Sequence, residues 1–169
     1  MRYKLVFSVV ILTLLFILMF LPFRLVFIME DSQGKQFAYS PIHVGERFQI
    51  EYTHSIHLSQ VEEWYKVGKN LNIVQTKLTF EDTAIGMPAT AGEGETFTLT
   101  EDGQYELSNM SREFPSINMR VGQVKANHLL HINDATYPFT SFFDGGTGIK
   151  ISIKKLSVWQ MWKGVKIHE

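Results

Sequence analysis

Residues 50–67 read IEYTHSIHLSQVEEWYKV, and the way this stretch is paired decides the fold. It alternates apolar and polar, breaks near its middle, then alternates again. Alternation with a period of two is the signature of a strand with one face on a core. Two such runs joined by a short break read as an antiparallel hairpin. With 48–55 and 60–67 as the two strands and 56–59 as the loop, Ser55 faces Gln60 and His54 faces Val61. Tyr52 then lies opposite Glu63, Ile50 opposite Tyr65 and Phe48 opposite Val67. These residues share one face, mostly apolar, which is the expected core face. The other face carries Thr53 with Glu62, Glu51 with Trp64, and Gln49 with Lys66. A slip of one residue would exchange Glu62 and Glu63 between the faces.

The core face holds three polar groups: Tyr52, His54 and Glu63. Neighbours on one face of a strand pair touch, directly or diagonally. A buried carboxylate without a partner is costly, and a tyrosine or histidine donor would relieve Glu63. The spacing therefore predicts a hydrogen-bonded cluster near the hairpin end. Three uses of it stay open: a network that only fixes the turn, a binding site for a small ligand or partner, and acid–base catalysis. Thr53 and Ser55 add hydroxyls, but no nucleophile elbow or oxyanion loop accompanies them. His54, His57 and Glu63 could in principle meet a metal, although their spacing fits no zinc pattern. His128 and His131, in NHLLHI, fall on opposite faces of a strand and form no joint site. No catalytic residue, metal site or cofactor is expected.

The remaining chain extends the β pattern. LNIVQTKLTF (71–80) is a third strand, with Ile73 and Leu78 among polar neighbours. EDTAIGMPATAGEGE (81–95) carries three glycines and a proline and reads as a loop. TFTLTEDGQYELSN (96–109) reads as a hairpin turning at Asp102-Gly103. INMRVGQVK, HLLHI and GIKISIKKLSVW supply further short strands, and FFDGGTG is a glycine-rich turn. Many short strands with turns about every ten residues predict an all-β domain, a compact antiparallel sandwich or barrel-like fold. The tail 154–169 suits either a last strand covering the core edge or, through Trp159, Trp162 and its lysines, a membrane interface.

The N-terminus is different. Leu5 to Phe23 is free of charge and follows Arg2 and Lys4. As a helix it would be about 28 Å long, close to a bilayer's hydrocarbon core. The segment after it offers no small-residue cleavage pattern. The expectation is a retained transmembrane anchor over 1–29, a linker and first strand over 30–43, and an extracytoplasmic β domain over 44–169. Arg2 and Lys4 favour a cytoplasmic N-terminus.

Composition narrows the classes. An aromatic share of 13% with only 20% charged residues belongs to an ordered chain rather than a disordered one. A net charge of −1 gives no footprint for nucleic acid. With no cysteine there is no disulfide framework, thiolate metal site or cysteine nucleophile.

GERFQIEYTHSIHLSQVEEWYKV, followed by LNIVQTKLTFEDTAIGMP, resembles the bacterial domain-of-unknown-function family numbered 1850. The matching residues are Tyr52, Thr53, His54 and Ser55, then Val61, Glu62 and Glu63, then Gly86 and Pro88, within roughly 44–90. The family carries a proline before its V-E-E, where Gln60 stands here. The resemblance implies a small β-rich domain behind a hydrophobic segment, with no assigned catalytic activity. It further implies an association with tripartite ATP-independent periplasmic (TRAP) transporters of the TAXI type, which take up organic acids such as carboxylates or amino acids. The partners implied are a TRAP permease or solute-binding protein. The binding residues would be Tyr52, Thr53, His54, Ser55, Glu62 and Glu63, with the loop at Gly86 and Pro88 beside them.

Overall fold

A computed structural model describes residues 2–54, 58–81, 87–123 and 126–167. Ser55, His57 and Gly86, on which expectations fell, lie outside the described residues. In chain order the elements are α1 (Arg2–Phe20), β1 (Arg24–Asp31), β2 (Phe37–Pro41), β3 (Arg47–Thr53), β4 (Gln60–Val67) and β5 (Ile73–Phe80). Then come β6 (Thr96–Leu99), β7 (Tyr105–Ser108), β8 (Arg112–Phe114), β9 (Ile117–Arg120), β10 (Leu129–Ile132) and β11 (Ala135–Pro138). A 3-10 turn (Phe139–Ser141), β12 (Gly148–Leu156), α2 (Val158–Lys163) and β13 (Val165–Lys166) complete the chain.

Two sheets form, and neither closes into a barrel. One has the order β13-β2-β1-β12-β9. The other runs β11-β10-β3-β4-β5-β7-β6, with β8 also on β5. The main core lies between them. Phe27 and Met29 of β1 and Ile149, Ile151 and Ile153 of β12 meet Phe48, Ile50, Tyr65, Val67, Ile73 and Leu130. Phe27 packs edge-on against Phe48 at 4.9 Å, and Phe48 stacks on Tyr65 at 5.2 Å. Each fully buried side chain of this size contributes about 1.5–3 kcal/mol, so this layer carries most of the stability. A smaller core of Val61, Leu78, Phe80, Leu107 and Met110 lies further along the larger sheet, backed by Met87, Phe97 and Tyr105. Tyr52 packs against both cores.

The hairpin at 50–67 forms, with its faces as expected and its pairing moved. Ile50 faces Glu63, Tyr52 faces Val61, and Phe48 faces Tyr65. The last bonded contact is His54 N–H to Ser59 O at 2.8 Å, one residue earlier on each strand than the expected Ser55–Gln60 pair. The cause is at Leu58. It takes a left-handed conformation (φ 55°) and its N–H donates to His54 O, closing the turn one residue early. Moving both strand ends by one changes every partner but leaves each residue on its face. Thr53 therefore pairs with Gln60 rather than Glu62, and Glu51 faces Glu62 rather than Trp64.

The N-terminal expectation needs correction. Helix α1 stops at Phe20. Its uncharged part, from Leu5, is then roughly 24 Å long, short of the ~30 Å hydrocarbon core. Among the described residues no helix is long and apolar enough to cross a membrane. The following LVFIM is part of β1, inside the smaller sheet, and is neither anchor nor linker. Val26 to Met29 are buried on both faces, because Val26 and Ile28 pack under Tyr39, Leu156 and Met161 on the sheet's outer side. Residues 31–36 are the turn between β1 and β2, tied by Asp31 N–H to Gln36 O. The hairpin at 96–108 forms as expected, but its turn is longer than a two-residue one. Gly103 takes a left-handed φ of 80°, while Thr100 and Gln104 close the loop.

Candidate functional site

A cleft of about 480 Å³ opens between the two sheets where the smaller one ends. Its wall on the larger sheet is Tyr52 from β3, Glu63 and Tyr65 from β4, and Gln75 from β5. The opposite wall is β9, the edge strand of the smaller sheet, through Ile117, Asn118 and Met119. Phe114, Ser116 and His128 complete it.

Strand geometry explains each polar group. Tyr52, Glu63 and Tyr65 follow the period-two alternation of β3 and β4, with Tyr52 and Glu63 diagonal neighbours. Gln75 reaches the same face through a bulge. Trp64 pairs with Lys77 and Tyr65 with Gln75, so Thr76 is the extra residue. Its hydroxyl donates to Trp64 O at 3.2 Å. The bulge reverses the alternation of β5, which turns Ile73 and Gln75 inward on one side of it and Leu78 and Phe80 inward on the other.

The electrostatics centre on Glu63. Tyr65 OH donates to its Oε2 at 2.8 Å. Burial nonetheless holds the Glu63 carboxyl above its ordinary range, with the Tyr65 bond opposing that rise. Both phenols are raised too, chiefly by burial and then by the Glu63 charge, so they remain neutral donors. His128 stacks beside Tyr52 at 5.4 Å and beside Phe139 at 5.7 Å. Its Nδ1 accepts from the Gly122 N–H at 3.1 Å, which puts the proton of the neutral ring on Nε2. Burial pushes the His128 pKa down, so the ring stays neutral at physiological pH.

Of the expected residues, Tyr52 and Glu63 are brought together in this cleft. The close donor to Glu63 is Tyr65, two residues along the same strand, which pairing with Ile50 had made an apolar core residue. His54 stands past the last ladder pair of β3, half-buried, its backbone engaged with Leu58 and Ser59. Thr53 and Glu62 are on the outer face; Glu62 accepts from Gln60 Nε2 and Thr79 Oγ1, both at 3.3 Å. Pro88 is half-buried in the loop after β5. Among the described residues no group of three or more His, Asp or Glu could hold a metal ion.

A second polar chain, absent from the sequence reading, lies on the outer face. His131 Nε2 is 2.9 Å from Glu51 Oε2, and Thr136 Oγ1 is 2.8 Å from His131 Nδ1. It bonds β10 to β3 and β11, on the side of Glu51 away from the like-charged Glu62 of β4. His128 and His131 thus face opposite ways, as alternation requires.

No curated protein and no solved structure matches the chain. A family model, a domain of unknown function (DUF1850), matches residues 48–139. That span runs from β3 through β11 and contains every residue that lines the cleft. The chain belongs to the DUF1850 family.

Proposed function

We propose that this is a non-enzymatic accessory domain, held at a membrane by α1, whose cleft binds a small solute or a partner subunit of a TRAP-type uptake system. The observation that carries the reading is Glu63: a carboxyl kept in a water-accessible cleft between two phenols, at a cost that packing alone would remove. Buried ionisable groups beside a pocket are functional-site candidates for this reason. Among the described residues that line the cleft, beyond Glu63 no nucleophile is paired to a base, which favours binding over catalysis.

Membrane attachment is supported by α1 itself. Val6, Phe7, Leu12 and Phe16 are exposed, as are Val9, Val10 and Leu14, so the helix has no polar side to give to water. The TRAP association rests on the family resemblance.

The test is to isolate the full chain with detergent from native membranes and identify what co-purifies. Uptake through a TRAP permease of the same cell is then measured with the gene deleted and with Glu63→Gln restored. Co-purification of a permease or solute-binding subunit, with uptake lost in both strains, supports the reading. Normal uptake in the deletion strain refutes it and leaves an envelope assembly domain without a ligand.

A further inference from the structure

The chemistry of the cleft walls goes further than a generic solute. Resting on the reading that the cleft binds a ligand, we infer that it selects a small solute through a protonated amine and rejects a free carboxylate.

Among the described residues that line the cleft, the one acidic side chain is Glu63, and none is Lys or Arg. The other polar walls are neutral: Tyr52, Tyr65, Gln75, Asn118 and His128. His128, the one residue that could have supplied a positive charge, has its Nδ1 taken by the Gly122 N–H and is half-surrounded by Tyr52 and Phe139. A carboxylate entering here would meet the Glu63 carboxyl with no Lys or Arg among the described lining residues to pair with it, in surroundings where charge interactions are stronger than in water. An ammonium group meets the reverse. The Glu63 carboxylate keeps acceptor capacity beyond the bond from Tyr65, and the Tyr52 hydroxyl and the Gln75 and Asn118 amides add neutral polar groups to the walls. A volume of about 480 Å³ fits a small molecule.

Two four-carbon probes of similar size and opposite charge separate the cases. Full-length protein in detergent is titrated calorimetrically with butylammonium and with butyrate. Butylammonium is expected to bind and butyrate not to. Glu63→Gln should weaken butylammonium at least tenfold with no fall in the thermal midpoint. The groups beside Glu63 are the Tyr52 and Tyr65 phenols, neutral near pH 7, and the other titratable lining side chain, His128, is held neutral by burial, so the pH dependence belongs to Glu63. Butylammonium affinity should rise with pH as Glu63 ionises, then level off. Asn118→Lys, at an exposed position on the β9 edge, should weaken butylammonium and admit butyrate, and it leaves Glu63 untouched should the first variant fold poorly. Butyrate binding as tightly as butylammonium, or butylammonium affinity unchanged in both variants, overturns the amine assignment while the cleft remains a binding site. Failure of both probes to bind the wild type at millimolar concentration overturns the amine assignment too. A permease or solute-binding subunit that still co-purifies would then leave the accessory reading standing, and its absence would remove that as well.

Discussion

Removing one oxygen, in Tyr65→Phe, tests how Glu63 is held. The ring still stacks on Phe48 at 5.2 Å, so packing is conserved and only the 2.8 Å bond to Glu63 is lost. A hydrogen bond to a charged group contributes about 1.5–3 kcal/mol, and one between neutral groups about 0.5–1.5 kcal/mol. Above the folded-state pKa of Glu63, where the carboxyl is ionised, Tyr65→Phe should cost the larger amount. At roughly 2–4 °C per kcal/mol for a chain of this size, that is a fall of about 3–12 °C in the thermal midpoint. At about pH 4 the carboxyl is neutral and the fall should shrink to the neutral-pair range. In a Glu63→Gln background the acceptor persists without its charge, so Tyr65→Phe should again cost about 0.5–1.5 kcal/mol at either pH. The difference between the two backgrounds is the charge-dependent coupling. Thermal unfolding of the four proteins at both pH values measures it. A Tyr65→Phe cost that is negligible, or identical at both pH values and in both backgrounds, would refute this account of Glu63.

Three further outcomes follow from local structure. The folded state holds the Glu63 pKa above the unfolded value, so it binds the proton more tightly and stability falls as pH rises from the unfolded pKa through the folded one; Glu63→Gln should therefore gain stability relative to wild type at about pH 7 but not at about pH 4, measured by denaturant unfolding. Gly164→Ala should cost about 1–3 kcal/mol by overpacking, because an added Cβ would lie 2.1 Å from the Phe37 ring, and the same unfolding assay reads it. Ser152→Ala should leave stability unchanged or raise it by up to ~1 kcal/mol, since among the described residues Ser152 Oγ is buried with no hydrogen-bond partner.

What the sequence revealed depended on how each element is buried. The faces of β3 and β4 were legible because one side meets a core and the other meets water. Their register was not, since it turns on Leu58 adopting a left-handed conformation that nothing in its chemistry favours. β1 was hidden for the opposite reason. It is covered on both sides, so its alternation vanishes and LVFIM reads as a continuation of the apolar helix. In β5, Ile73 and Leu78 lie an odd number of residues apart yet both face inward, and only the bulge at Thr76 reconciles them. That same bulge delivers Gln75 to the cleft. Tyr52 and Glu63 were found by their parity alone. His128 reaches Tyr52 from a distant part of the chain through the sheet order β10-β3, which no local pattern encodes.

The most direct test of the account is the ionisation of Glu63 itself. The side-chain carboxyl ¹³C resonance of Glu63 in the full-length protein is followed across pH, without and with butylammonium. The account predicts a pKa above the ordinary glutamate range in the free protein, and a fall when the amine binds and stabilises the charged form. An ordinary pKa that does not move on adding butylammonium would contradict it.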